Sequence, residues 1–157
     1  MIGPVLSIVT VCSGNICRSP MAEKVLRSAL ADAGLADRVR VTSVGTGPWH
    51  AGEDMDPRAA ATLQSHGYEV GHVARQVDAD IAEADIVLAA TSDHVRDLRR
   101  AGASAEHVRL LRSFDPAAPP GAEVPDPYYG GDDGFDDVLT MIEAAAPGIV
   151  AWVREQS

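Results

Sequence analysis

Apolar positions run along the chain in two alternating rhythms. Val5, Leu6, Ile8, Val9 and Val11 form a nearly continuous apolar run, the pattern of a parallel strand buried on both faces. From about Pro20 the spacing becomes helical, through Ala22, Val25, Leu26, Ala29, Leu30 and Ala33, with Gly34 as the stop. Val39, Val41 and Ser43 predict a second strand, followed by a loop through Gly45, Gly47 and Pro48. Asp56-Pro57 predicts a helix start and Gly67 its end. Tyr68 to Ala79 is polar and mixed, which suggests loop with a short strand. Asp85 to Ala90 reads as a buried strand, Thr91 to Asp93 as the cap of a helix ending at Gly102, and Val108 to Leu111 as a short fourth strand. Residues 114 to 134 hold five prolines and predict a long surface loop, a kind of segment that usually serves function. Phe135 to Trp152 predicts a last helix that Pro147 kinks or splits.

Strand and helix in alternation imply an α/β fold of one domain over residues 1–157. The expected architecture is a doubly wound, four-stranded parallel sheet with helices on both faces. Such sheets bind ligands just beyond the carboxyl ends of their strands. The segment after the first strand, Cys12-Ser13-Gly14-Asn15-Ile16-Cys17-Arg18-Ser19, is therefore the place to look for chemistry.

That segment opens a helix, and a helix N-terminus offers unpaired N–H groups with partial positive charge, a ready site for phosphate. Gly14 is expected to bend the backbone with φ > 0, so that successive N–H groups face one concavity. An ordinary Cys is only a few per cent thiolate at neutral pH. At Cys12 the helix end, the N–H groups and Arg18 all favour the anion. Arg18 can fork two donors onto two phosphoryl oxygens while a thiolate attacks phosphorus. Leaving-group expulsion also needs an acid, worth roughly 10²–10⁴ in rate. Asp56, Asp115 and Asp126 are candidates, each followed by proline. Asp56 reads first as a helix cap and Asp115 as a turn opener, which ranks Asp126 modestly ahead.

The segment VCSGNICRSPMAE resembles the active-site loop of the low-molecular-weight protein tyrosine phosphatases, in their bacterial form. The resemblance continues through Ser43 to Thr46, Trp49, Asp56-Pro57-Arg58, His72 and the run from Val124 to Gly130, and so covers essentially the whole chain. It implies Cys12 as nucleophile, forming a phosphocysteine intermediate, and Asp126 as general acid and then general base. It implies phosphate held by Arg18 and by the loop residues Ser13, Gly14, Asn15, Ile16 and Cys17. Ser19 would donate a hydrogen bond to the thiolate, and Asn15, Ser43 and His72 would form a supporting network. Trp49, Tyr128 and Tyr129 resemble the walls for a phosphoaryl ring, and in some relatives the tyrosines are themselves phosphorylated. Cys17 is either a packed thiol or, as in the family, a trap for an oxidised Cys12. No metal or other cofactor is needed. Turnover requires thiolate and carboxylic acid at once, so a bell-shaped pH profile with an acidic optimum is expected.

Composition narrows the partners. The formal net charge is −10, which argues against nucleic acid and anionic membrane. Ser113 to Ser157 carries nine acidic residues and one basic one, so the negative charge concentrates in the last third. Screening confines its reach to about 8–10 Å, and local donors decide whether an anion binds. No apolar run of about 18 residues occurs, and the first apolar run lacks a basic leader. Two cysteines in one turn suit a reducing cytoplasm, with export by a signal-less route left open. The expected partners are a protein carrying phosphotyrosine and a cognate tyrosine kinase, and the expected state is a monomer. Two rivals use the same loop: a thiol-dependent arsenate reductase, which needs further thiols that do not occur after Cys17, and a phosphotyrosine-binding module without turnover, which would typically lack Cys12 or the acid. Nucleotide binding of the P-loop kind fails because no Gly-Lys-Ser/Thr follows the loop.

Overall fold

The computed structural model describes residues 5–131 and 133–156. Strands β1 (Leu6–Cys12), β2 (Val39–Gly45), β3 (Ile86–Ala89) and β4 (Val108–Leu110) form one sheet in the order β2-β1-β3-β4. Every pairing is parallel, with Ile8 level with Val41 on one side and Ile86 on the other. The central position of β1 explains its continuous apolar run, because alternate residues serve two cores. Ile8 and Cys12 join the larger core with α1 (Arg18–Asp32), α2 (Pro57–Ser65) and α4 (Asp133–Glu155). Val9 and Val11 join the smaller core with Leu98 of α3 (Ser92–Arg100). Helices thus cover both faces of the parallel sheet, the expected doubly wound arrangement. Leu26 and Leu30 are essentially inaccessible, and truncating such a leucine to alanine typically costs about 2–5 kcal/mol.

Three expectations need correction. The short strand sought between Tyr68 and Ala79 is only an isolated bridge, Gln76 beside Gly45. Helix α1 starts at Arg18, ahead of Pro20, which lies in its first turn as expected. Pro147 does not split α4, which is one helix from Asp133 to Glu155. Its buried stripe (Phe135, Val138, Leu139, Ile142, then Ile149, Val150, Val153) runs past the proline on both sides, while Pro147 faces solvent. Water can serve the carbonyl that proline leaves unpaired, and packing holds the helix together. Among the described residues no helix is long and apolar enough to cross a membrane.

The strand order reverses direction at β1, whose neighbours are β2 on one side and β3 on the other. The loop leaving β1 therefore opens at the switch point, where doubly wound sheets hold ligands.

Candidate active site

The loop between β1 and α1 has its carbonyls pinned from outside. Thr46 N–H donates to the carbonyl of Cys12, Gly47 N–H to that of Ser13, and Asp56 N–H to that of Ile16. Nε2 of His72 lies 2.7 Å from the carbonyl of Asn15, and an acceptor there requires Nε2 to carry the proton. Burial depresses the His72 pKa and favours this neutral ring. The N–H groups from Gly14 to Cys17 have no protein acceptor among the described residues. A loop with its acceptors occupied on the outside and its donors free is a nest for an anion.

The backbone bend lies one residue later than expected. Asn15 has φ of 60°, and Gly14 is not in the left-handed region. Asn tolerates that conformation because its short amide bonds locally. Gly14 instead lies close under the ring of His50: a Cβ there would come 2.7 Å from Cδ2 of that partly exposed side chain, which would have to turn aside. Gly45 faces a harder limit: a Cβ would lie 2.6 Å from the carbonyl oxygen of Ser13.

The Asn15 side chain is fully buried and organises the thiol. Its amide donates to Ser19 Oγ at 2.8 Å and to Ser43 Oγ at 3.0 Å, while its Oδ1 accepts from Arg75 N–H. Ser19 Oγ accepts from Asn15, and its own proton has two acceptors within reach, Cys12 Sγ at 3.0 Å and the Val44 carbonyl at 3.4 Å, of which the sulfur is the nearer. Ser19, though near the start of α1, does not cap it. Asn15, Ser43, His72 and Ser19 thus form one connected network beneath Cys12. Both cysteines are free and buried. Burial, then the negative charges of Asp56 and Cys12, push the Cys17 thiol far up, as expected for a packed thiol.

Arg18 joins the two loops of the site. Its Nη1 donates to the carbonyl of Val124 at 3.0 Å, and its Nη2 lies 3.6 Å from Asp126 Oδ2. The side chain of Arg18 is 6% exposed and that of Asp126 is 41% exposed. Asp126 Oδ1 accepts from Tyr128 N–H, which shapes the turn beyond it. The other two candidate acids are engaged in local structure. Asp115 accepts from Ala117 N–H in a turn, and Asp56 caps α2 by accepting from Arg58 N–H. Burial works to raise the Asp56 carboxyl, but the hydrogen bonds of Arg58 outweigh it and hold the pKa below the ordinary value.

Cys12, Ser13, Gly14, Ile16, Cys17, Arg18 and Asp126 line a cleft of about 430 Å³, walled by Trp49, His50, Tyr128 and Tyr129. The rings of Tyr128 and Tyr129 meet edge to face at 4.9 Å, and the Arg58 guanidinium lies 5.3 Å from the Tyr128 ring centre. Two histidines escaped the sequence reading. His50, beside Trp49, reaches the cleft with Nδ1 3.2 Å from Glu53, and nothing in its spacing marks it. His94 is 4% exposed and holds Nε2 2.8 Å from Ser13 Oγ. Its place three residues after the cap Thr91 was the available clue. Among the described residues no cluster of three or more His, Cys, Asp or Glu is placed to hold a metal ion.

This arrangement has close relatives. A protein of Streptomyces coelicolor described as a low molecular weight protein-tyrosine-phosphatase is 53% identical over 151 residues, 93% of this chain and 92% of its own. The low molecular weight protein-tyrosine phosphatase A of Mycobacterium bovis is 49% identical over 152 residues, 96% of this chain and 93% of its own. The crystal structure of a protein tyrosine phosphatase from Entamoeba histolytica, with Hepes in the active site, superposes with a TM-score of 0.89 at 30% identity, covering 96% of this chain and 98% of that one. The family model described as low molecular weight phosphotyrosine protein phosphatase matches residues 7–157. With the Cys12 loop at the switch point of a doubly wound sheet, and likeness along nearly its whole length, the chain belongs to the low molecular weight phosphotyrosine protein phosphatase family.

Proposed function

We propose that this enzyme hydrolyses phosphotyrosine in proteins, and small aryl phosphates, through a phosphocysteine on Cys12. The observation that carries the reading is the loop whose carbonyls at Cys12, Ser13, Asn15 and Ile16 are engaged from outside, while the N–H groups from Gly14 to Cys17 have no acceptor among the described residues and lie beside a buried thiol and Arg18. Those donors hold three phosphoryl oxygens, and Arg18 supplies the positive charge. Ser19 donates to the Cys12 sulfur, which stabilises the thiolate both as attacking group and as leaving group. The sulfur attacks phosphorus as the bond to the phenol oxygen breaks, and Asp126 gives that oxygen its proton. Asp126, now a carboxylate, takes a proton from water attacking the phosphocysteine, which releases inorganic phosphate and restores the thiolate. Trp49, Tyr128 and Tyr129 offer aromatic faces to the phosphotyrosine ring.

The partners follow from this chemistry: a phosphotyrosine protein as substrate and a tyrosine kinase that supplies it. The chain acts in the cytoplasm as a single-domain monomer. The deciding experiment is hydrolysis of a simple aryl phosphate in EDTA at pH 5 to 7, with wild type and Cys12→Ser compared. Activity that survives the chelator and disappears in the variant is expected. An inactive wild type would overturn the reading and move the assay to thiol-coupled arsenate reduction.

A further inference from the structure

His94 sits on the opposite side of the phosphate loop from the Asn15 network, in the first turn of α3. Its Nδ1 lies 3.2 Å from the backbone N–H of Thr91. That N–H can only donate, so Nδ1 is an acceptor and the ring proton resides on Nε2. Nε2–H is then the donor to Ser13 Oγ at 2.8 Å. A hydroxyl that accepts from a fixed donor cannot turn its own proton back along the same line. Ser13 lines the cleft next to Cys12, and its O–H is left to point there. We infer that His94 is a positioning residue whose tautomer, fixed by the cap of α3, turns the Ser13 hydroxyl into a directed donor for a phosphoryl oxygen.

Burial favours the same tautomer. It depresses the His94 pKa to about 4, with the Arg18 charge adding to the effect against the opposing pull of Asp97, Asp93 and Asp126. The ring is therefore neutral near pH 7. The cap also ties in the acid loop, because the Glu123 carboxylate accepts from Ser92 N–H at 2.7 Å. One short turn of backbone thus holds a member of each loop.

The inference rests on the phosphatase reading, and its test does not need turnover. Inorganic phosphate is titrated into wild type, Ser13→Ala, His94→Asn, His94→Gln and the double variant Ser13→Ala/His94→Asn, with heat of binding as the readout. Asn can reproduce the Nδ1 acceptor towards Thr91 but cannot reach Ser13, whereas Gln can reproduce the Nε2 donor. Ser13→Ala and His94→Asn are each expected to weaken phosphate binding by about tenfold or more, the usual weight of a hydrogen bond to a charged group. The double variant should be no weaker than either single one, and His94→Gln should recover most of the affinity. Unchanged affinity in Ser13→Ala, multiplied losses in the double variant, or a Gln variant as weak as the Asn one would each overturn the inference. If His94→Asn fails to fold, unchanged affinity in Ser13→Ala, or a folded His94→Gln that loses the affinity, still overturns the inference. Tight phosphate binding without aryl phosphate hydrolysis would instead count against the proposed reaction.

Discussion

The Ser19 hydroxyl lies 3.0 Å from Cys12 Sγ and accepts the amide proton of Asn15, so its own proton is available to the sulfur. A hydrogen bond to a charged partner is worth about 1.5–3 kcal/mol. Ser19→Ala should therefore lower turnover by roughly 10- to 100-fold, with little change in melting temperature. Pre-steady-state kinetics would show whether phosphoenzyme breakdown, where the thiolate leaves, slows at least as much as its formation. A variant with wild-type turnover would show that the contact is only packing.

Asp126 stands near Arg18 but is two-fifths exposed, open to both substrate and water. Asp126→Asn should cost roughly 10²–10⁴ in kcat on a substrate whose phenol leaves poorly. The loss should shrink on a substrate whose leaving phenol is already acidic. An equal loss on both substrates would point to a binding role.

Gly45 meets the loop backbone, where nothing can give way. Its added Cβ would lie 2.6 Å from the Ser13 carbonyl and 3.1 Å from Asn15 N. Gly45→Ala should destabilise by about 1–3 kcal/mol and reduce kcat/KM by displacing the loop. Gly71→Ala, where a Cβ meets nothing within 4 Å, is the control. Equal denaturant midpoints for the two variants would refute the close approach.

His94 gives stability a defined pH dependence. Its folded pKa, near 4, lies below the 6.5 of an unfolded His. Between those values the unfolded chain binds more protons, so stability falls as pH drops from about 6.5 towards 4, by up to about 3 kcal/mol. Above 6.5 the contribution is fully present. Denaturant melts of wild type and His94→Gln from pH 4 to 7.5 should converge on acidification. Parallel curves would show that His94 does not titrate in this way.

Much of this architecture was legible because its causes are local. The apolar run of β1 follows from burial on both faces, and Thr91 and Asp56 are caps by residue type. The spacing of Cys12 from Arg18 reads directly as a loop entering a helix. Other features depend on contacts that no local pattern records. The left-handed residue is Asn15, whose buried amide is fixed by Ser19, Ser43 and the Arg75 N–H from distant parts of the chain. Helix α4 survives Pro147 because its buried stripe continues on both sides. The partnership of His94 with Ser13 spans 81 positions, and no periodicity joins them.

Four carbonyls of the phosphate loop are held by Thr46 and Gly47, by Asp56 and by His72, three stretches of chain remote in sequence from Cys12. No short fragment of the chain can assemble that ring of contacts. The anion site comes into being only when the strands, the Gly45 turn and the start of α2 have all docked, so affinity for an oxyanion is a readout of completed folding. By mass action, phosphate at a hundred times its dissociation constant would add about 2.7 kcal/mol to the native state. The product of the reaction is then also a ligand that protects the enzyme while it waits for substrate.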